Sequence, residues 1–472
     1  MTRAPGPSGL DMVKVLMGRR GNPVAMLRDL RERYGDVVRI PVGATPYFIL
    51  SGVEGAKHVL VDNARNYSKG PAYALLASFL GEGIITADGD HWRRHRRMVQ
   101  PVLQRDRMPL FVNVMAQEAD SLAARFAKHA ERGATVDIFP DMLDVALRII
   151  ARAMLGGAVL GRENDVHHAL TFILTHFERV SVSGARLLEL LPGGKRLRGL
   201  RRVLLDLPTR RNREFREAIR VLDDLIYGVI AERRRGAGAS AERGDLVSLL
   251  LHARDESGVA LSDQEVRDEV MTMFLAGHET VATGLAWACH LLSRHPQVAD
   301  AVAAEGDTVL GARAPTADDL PALSLAERVF EEAMRLHPPV WRISRLSLAP
   351  DSIGGFDIPE GSIAVVAPVL IHRDRTLWER PDEFDPARFE KTASAGRSRL
   401  AFMPFGAGQR MCIGASFAMA EAQIVLTAVC RAVRLTATLA GDPPYEPSIT
   451  LRPRGGVPLT LSPRTTRARR PA

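Results

Sequence analysis

The sequence predicts a mainly α-helical protein with small β-sheets, an α+β fold in which residues 1–472 form a single large domain. Apolar residues recur at helical spacing along most of the chain. The longest such pattern, between Ser262 and Pro296, corresponds to a helix of roughly 45 Å. Stretches rich in β-forming residues are few and short. Length alone would also allow two or three domains, but no linker divides the chain.

The composition is that of an ordinary globular protein, with 46% hydrophobic and 25% charged residues. The three cysteines, Cys289, Cys412 and Cys430, are too few for a disulfide framework and indicate a reducing compartment. The N-terminus is polar and rich in turn residues, and no apolar run is long enough to span a membrane. We therefore expect no signal peptide, no membrane anchor and a cytoplasmic location.

The chain is basic, with a net charge of +8 and a pI of about 9.7. Its basic residues concentrate at 93–97, at 195–220 and in the tail 464–472. None of these segments is interleaved with aromatic residues, as a surface that stacks on bases would be. We therefore expect no nucleic-acid partner. Solvated helix faces, a disordered tail and a docking face for an acidic protein are the favoured interpretations.

The first part of the chain mixes helical and β patterns. Residues 1–24 are expected to be loosely ordered, and an amphipathic helix is predicted over residues 23–34. Residues 37–40 and 47–50 are predicted to form a β-hairpin. Further helices are predicted at residues 54–63, 141–155, 165–182, 210–233 and 244–255.

The longest predicted helix begins at a capping box formed by Ser262 and Glu265. One of its faces carries branched and long side chains as far as Met273 and small ones from Gly277 onward. A flat ligand is therefore expected to approach the helix at Gly277.

The segment Ala276-Gly-His-Glu-Thr280 covers this thin part of the helix. The Thr280 hydroxyl can bond a backbone carbonyl or a bound ligand, and the neighbouring Glu279 supplies an exchangeable proton. The alternative is a kinked core helix with a solvated glutamate. His278 is assigned no role, since a histidine here more often serves packing or hydrogen bonding.

Cys412 stands between a glycine-rich turn and a helical run. A thiolate near a helix N-terminus is favoured by the helix dipole, which lowers its pKa. Gly406, Gly408 and Gly414 allow the backbone to approach closely, and Arg410 is well placed for an anionic group. No second Cys or His lies nearby in sequence, so a zinc site is poorly supported. A single thiolate suits haem, which brings its own remaining ligands; the alternative is a buried, inert cysteine.

This stretch resembles the haem-binding loop of the cytochrome P-450 family, Phe-x-x-Gly-x-Arg-x-Cys-x-Gly, and more specifically its soluble bacterial type. The matching positions are Phe405, Gly408, Arg410, Cys412 and Gly414. The resemblance implies that Cys412 is the axial ligand of the iron in haem b. It implies cofactor contacts from Phe405, Gly406, Arg410 and Gly414.

Other segments resemble further motifs of the same family. Residues 276–280 resemble its oxygen-activation motif, which implies catalytic roles for Thr280 and Glu279. Trp92 and Arg96 lie four apart on one helix face, and the family pattern points both at a haem propionate. The alternative for that pair is a basic, solvated helix face. By the same pattern Arg345 reaches a propionate.

The family pattern also implies a structural cluster. Glu332 and Arg335 are three residues apart on a predicted helix, and Arg388 follows in the segment 384–389. In the family these three side chains hold the loop that presents the cysteine. An exposed Glu–Arg pair on a helix would contribute only a few tenths of a kcal/mol, so the pair alone is a weak motif.

The resemblance implies a haem-thiolate monooxygenase that inserts one oxygen atom from O2 into a hydrophobic substrate of the terpenoid, fatty acid or steroid class. Electrons would come from NAD(P)H through a separate ferredoxin- or flavodoxin-type donor that docks near residues 93–97. The alternatives are a non-enzymatic haem-thiolate sensor and a peroxide-driven enzyme. Neither needs the acid–alcohol pair Glu279–Thr280.

Overall fold

The computed structural model describes residues 2–8, 11, 22–42, 45–159, 161–181, 207–236, 245–447 and 449–464. Much of the predicted loose segment 1–24, part of the basic region 195–220 and the tail after Arg464 lie outside these residues.

The helices of the described residues range from one turn to 32 residues. Predicted helices at residues 23–34, 141–155 and 210–233 are confirmed to within a few residues. The predicted helix at residues 54–63 is also confirmed, as a short α-helix that continues into a π-helical turn, His58–Asp62. The α-helices are α1 (Pro23–Tyr34), α2 (Val53–Lys57), α3 (Pro71–Leu80), α4 (Gly89–Val99), α5 (Pro109–Ala130), α6 (Phe139–Leu155), α7 (Glu163–Ser181), α8 (Arg210–Arg235), α9 (Leu246–His252), α10 (Asp263–Arg294), α11 (Pro296–Leu310), α12 (Ser324–Leu336), α13 (Pro368–Ile371), α14 (Lys391–Ser394) and α15 (Ala415–Ala432).

The strands form small sheets beside the helices. They are β1 (Val37–Val42), β2 (Thr45–Leu50), β3 (Tyr67–Ser68), β4 (Thr135–Asp137), β5 (Ile343–Ser347), β6 (Asp351–Ile353), β7 (Phe356–Ile358), β8 (Ile363–Val366), β9 (Val433–Ala437), β10 (Tyr445–Pro447), β11 (Leu451–Pro453) and β12 (Pro458–Pro463). The largest sheet has the order β1-β2-β8-β5-β3, in which β2 and β8 are parallel and the other pairs antiparallel. The predicted hairpin is confirmed as β1–β2, with Val38 opposite Ile49.

Helix α10 runs through the main hydrophobic core and packs against α6, α12 and α15. Its predicted capping box forms: the Ser262 hydroxyl accepts from the Glu265 N–H, and the Glu265 carboxylate accepts from the Ser262 N–H. A side chain at Gly277 would meet Ile150 of α6 at 3.1 Å, so this glycine allows α10 to pack closely on α6. The approach of a flat ligand at this part of the helix stays a prediction.

The predicted cluster of Glu332, Arg335 and Arg388 also forms. Arg335 donates to both carboxylate oxygens of Glu332, at 2.6 and 2.8 Å, and neither side chain is exposed. Arg388 Nε lies 3.4 Å from the same carboxylate. Arg335 also donates to the backbone carbonyls of His372 and Pro381. A helix and a distant loop are therefore joined inside the protein.

We expect Arg335→Met to cost ~3–5 kcal/mol of unfolding free energy, because it leaves the buried Glu332 carboxylate without its main partner. Arg328→Met is the control. Arg328 lies on the same helix and pairs with the half-exposed Glu390, and exposed pairs contribute about 1 kcal/mol or less. Urea denaturation of both variants beside the wild type measures the difference. Equal losses in the two variants would contradict the prediction.

Candidate cofactor and active site

The loop that carries Cys412 is held by its backbone and by its glycines. The Cys412 N–H donates to the Phe405 carbonyl at 2.9 Å. Gly406 and Gly408 have φ angles of +75° and +69°, a region that side chains disfavour. A Cβ atom on Gly408 would lie 1.9 Å from the carbonyl oxygen of Leu60, in the π-helical turn. The loop therefore presses against that turn with no room for a side chain at Gly408.

The thiol of Cys412 is surrounded by protein, and this burial raises its pKa. The N–H of Gly414 and the charge of Arg96 act in the opposite direction. The predicted lowering of this pKa is therefore wrong, because desolvation outweighs the helix terminus. The residue as a whole is nevertheless exposed, so Cys412 lies among protein atoms but is accessible from outside them. A metal ion bound to the sulphur would deprotonate it outright. Cys289 and Cys430 are fully buried.

Arg410 and Trp92 meet beside this loop. The Arg410 guanidinium carbon lies 4.5 Å from the centre of the Trp92 ring, and Arg410 forms an ion pair with Asp88. Its Nε and Nη1 atoms are buried without a hydrogen-bond partner among the described residues. Arg96, on the same helix as Trp92, donates to the Met411 carbonyl at 2.5 Å. Three of the predicted cofactor residues are thus brought together next to Cys412.

Arg345 and Lys69 add two buried cations to this group. Arg345 is 9% exposed and Lys69 is 8% exposed. Burial, followed by the nearby charge of Arg410, lowers the pKa of Lys69 to about 7. Arg345 interacts with Tyr73 and feels the charges of Arg410 and Asp88. The sequence analysis missed Lys69, since no local pattern marks it and its neighbours come from distant segments.

The predicted catalytic pair lies on α10. The Thr280 hydroxyl donates to the Ala276 carbonyl at 2.6 Å, and both residues are partly open rather than fully buried. Glu279 is 3% exposed, and its carboxylate accepts from Arg452 Nε at 2.6 Å and from the Thr450 hydroxyl. The sequence analysis missed these two partners, which come from the β10–β11 hairpin. Glu279 is therefore not the solvated glutamate of the alternative interpretation.

Two segments that carry isoleucines are tied to α10 by hydrogen bonds. The loop before α4 is anchored to the helix by the Ile84 N–H, which donates to Glu269 at 3.2 Å, and Ile84 and Ile85 are partly buried. In the β10–β11 hairpin, Ile449 is 43% exposed. Its neighbour Thr450 bonds Glu279.

Comparison with known proteins identifies the family of the chain. A model of the cytochrome P-450 family matches residues 5–457. The chain belongs to the cytochrome P-450 family. It is 35% identical to cyclooctatin synthase of Streptomyces melanosporofaciens over 98% of this chain and 94% of that protein. It is also 35% identical to pentalenene oxygenase of Streptomyces avermitilis, over 89% and 87% of the two chains.

The fold agrees with that of solved members of the family. The structure of the cytochrome P450DA heme domain superimposes with a TM-score of 0.82 and 25% identity, and covers 98% of this chain and 97% of that one. This cytochrome P-450 is therefore a monooxygenase that uses haem b and O2, binds hydrophobic substrates and takes electrons from NAD(P)H through a partner protein. Among the described residues one helix, α15, is long and apolar enough to cross a membrane, and 61% of it is buried in the protein core.

The residues around Cys412 fit haem. The cluster of Arg410, Arg345 and Lys69 has Asp88 as its paired carboxylate, and Glu269 adds a negative charge near Lys69, so three basic side chains face two carboxylates. Buried charges require partners, and the two unpaired donors of Arg410 point to an anionic ligand. Haem supplies two carboxylates for the cations and an iron atom for one thiolate.

We expect Gly408→Ala to reduce the haem content of the purified protein sharply, because the added methyl group would displace either the loop or the turn at Leu60. Gly396→Ala is the matched control. It carries a similar strain of about 1–2 kcal/mol from its positive φ of 78°, but nothing lies within 4 Å of the added methyl group. Haem is quantified per chain in both variants. Equal haem content would show that close packing at Gly408 is unimportant.

We expect haem release to accelerate as the pH rises above about 7. Without haem, Lys69 loses its proton near pH 7. A haem carboxylate close to Lys69 would keep the lysine charged, so haem binding takes up a proton. The effect should stay below about tenfold per pH unit for one proton. Transfer of haem to an excess of haem-free globin gives the rate. The profile should flatten in Lys69→Met but not in the surface control Lys57→Met. An unchanged profile in Lys69→Met would remove Lys69 from the cofactor site.

Proposed function

We propose that this cytochrome P-450 hydroxylates or otherwise oxygenates a terpenoid, at a site where Cys412 ligates the haem iron. The observation that carries the proposal is the 35% identity to cyclooctatin synthase and to pentalenene oxygenase, over 98% and 89% of this chain. The names of the two Streptomyces relatives, cyclooctatin synthase and pentalenene oxygenase, favour a terpenoid over a fatty acid or a steroid. A cytoplasmic location stays a prediction.

Bound haem would supply the redox chemistry, with the Cys412 thiolate as its protein ligand. The loop backbone would hold the Cys412 sulphur in place, with contacts to the haem from Phe405, Gly406 and Gly414. Trp92, Arg96, Arg345, Arg410 and Lys69 would bind the two haem carboxylates.

Thr280 and Glu279 would organise protons at the site. The Thr280 hydroxyl gives its hydrogen to the Ala276 carbonyl at 2.6 Å, so its oxygen lone pairs remain free to accept a hydrogen bond from a ligand. The Glu279 carboxylate, next in the chain, would take up a proton and pass it on. Arg452 and Thr450 both donate to Oε1 of Glu279 and fix the position of the carboxylate.

Turnover of a panel of compounds tests the proposed function. Purified enzyme, after reduction and addition of carbon monoxide, should show the strongly red-shifted Soret band of thiolate-ligated haem. Cyclic terpene hydrocarbons, fatty acids and steroids of similar size are then compared by binding spectra and by product analysis under O2. Oxygenated products from terpenes alone are the expected result. Spectra without any product would favour the sensor, and preferred turnover of fatty acids or steroids would exclude a terpenoid role.

We infer that the electron donor is a separate ferredoxin or flavodoxin that docks beside residues 93–97. Arg96 contacts the Met411 carbonyl, and Met411 is 46% exposed next to Cys412, so this face is close to the cofactor. At the surface Arg93 pairs with Asp90 and Arg97 pairs with Glu256. These two ion pairs reduce the net positive charge of the proposed docking face. The same turnover assay should need an added donor and its reductase, and should slow as ionic strength rises. Product formed with NAD(P)H alone would contradict a separate donor.

We expect Thr280→Ala to uncouple the reaction. Substrate binding and nicotinamide oxidation should continue, while product per nicotinamide falls and peroxide rises, because proton delivery loses its organising hydroxyl. Thr280→Ser should restore most of the coupling. Thr283→Ala is the control, since the Thr283 hydroxyl lies on the same helix, is fully buried and has no partner among the described residues. Unchanged coupling in Thr280→Ala at equal haem content would leave Thr280 with a structural role.

A further inference from the structure

Two histidines and a glutamate meet where α4 crosses the N-terminal part of α10. His91 and His95 are one turn apart on α4, with ring centres 4.1 Å apart. The His95 Nε2 atom lies 3.2 Å from the Glu265 carboxylate of α10. Ligand atoms of His91, His95 and Glu265 all lie within 4.8 Å of one another. None of these residues belongs to the haem site described above.

We propose that His91, His95 and Glu265 bind a zinc ion. Two imidazoles and one carboxylate form a donor set typical of zinc. Zinc–ligand bonds of about 2.0–2.2 Å in a tetrahedron place neighbouring ligand atoms roughly 3.3–3.5 Å apart. The distance of 3.2 Å between His95 Nε2 and Glu265 Oε1 is close to that value. A ligand atom of His91 lies within 4.8 Å of both, and a rotation of the half-buried His91 ring would bring it into range.

The surroundings of His95 match those of a zinc-binding histidine. Such a histidine usually donates its second ring N–H to a carboxylate, which fixes the tautomer. Here Nδ1 of His95 lies 2.6 Å from Glu269, a carboxylate with no exposed area. The Nε2 atom is thereby left to face Glu265. On the outer side Glu82 lies 3.8 Å from His91 and is exposed, so it or a water molecule provides the fourth ligand.

A competing cation occupies part of the site. Arg94 donates to the same Glu265 oxygen at 2.6 Å, and also to Asp255 at 2.8 Å and to the Ala260 carbonyl. Zinc binding requires the hydrogen bond from Arg94 to Glu265 to break, while the hydrogen bonds from Arg94 to Asp255 and to the Ala260 carbonyl remain. The structure therefore predicts opposite effects from two neighbouring substitutions: loss of His91 weakens zinc binding, and loss of Arg94 strengthens it.

Bound zinc would fix the position of α4 relative to α10. Helix α4 also carries Trp92 and Arg96, and α10 carries Thr280. A metal ion at their crossing would therefore restrain both walls of the haem site, although it touches neither haem nor substrate.

The test uses the haem-loaded enzyme after dialysis against a chelator, titrated with zinc chloride alone and followed by calorimetry and by thermal unfolding. Wild type should bind a single zinc ion per chain, with a raised unfolding midpoint. His91→Gln should weaken binding by at least about tenfold, the scale of losing even an outer partner of a zinc ligand. Arg94→Gln should tighten it. His129→Gln, which removes an exposed histidine on α5, is the control and should match wild type.

The haem spectrum of each variant shows whether it has folded. If wild type shows no saturable zinc binding, the proposal is overturned. It is equally overturned if His91→Gln and His129→Gln bind zinc alike, since the metal then lies elsewhere. If Arg94→Gln weakens binding, the cluster is an ion-pair network that needs the arginine. Anomalous X-ray scattering from zinc between α4 and α10 in crystals of the wild type would provide direct support.

Discussion

The buried guanidinium of Arg335 is the interaction on which the cysteine loop depends. Besides its carboxylate partner it binds the backbone carbonyl of His372 at 3.0 Å. Burial lowers the pKa of His372 to about 3, so the ring stays neutral, and its Nε2 atom accepts from the Met403 N–H at 2.9 Å. Met403 accepts in turn from Gly406, at the start of the loop that leads to Cys412. A continuous hydrogen-bonded path thus runs from a helix core to the sulphur-bearing loop.

Charge is distributed unevenly over the candidate site. Beside the cysteine loop, buried arginine and lysine side chains outnumber the near carboxylates, Asp88 and Glu269. On α10 the Glu279 carboxylate is instead matched by Arg452. An added anion would stabilise the first arrangement, whereas the second already has its partner. This contrast separates residues that hold a cofactor from residues that organise protons, and it follows from desolvation alone.

The sequence was informative where chemistry depends on neighbours in the chain. The loop at Cys412, the capping box at Ser262 and the Glu332–Arg335 pair are local patterns, and the structure forms each of them. It was uninformative where partners are distant: Lys69 and Arg452 carry no local signal, because their roles arise only when remote segments pack together. The packing of Ile150 on Gly277 was not foreseen, because a glycine leaves space without indicating which neighbour fills it. The roles of the individual site residues stay predictions.

The late position of helix α15 in the chain affects how the protein folds during synthesis. This apolar helix lies near the end of the chain, directly after Cys412, yet it packs against α5 from the first third. Likewise β12, the last strand, pairs with β4. During synthesis the apolar faces of the early helices therefore remain uncovered until almost the whole chain has left the ribosome. Contacts between residues so far apart in the sequence slow folding, and they leave hydrophobic surface exposed to aggregation in the meantime. Production of soluble protein will depend on how well the cell shields that unfinished chain.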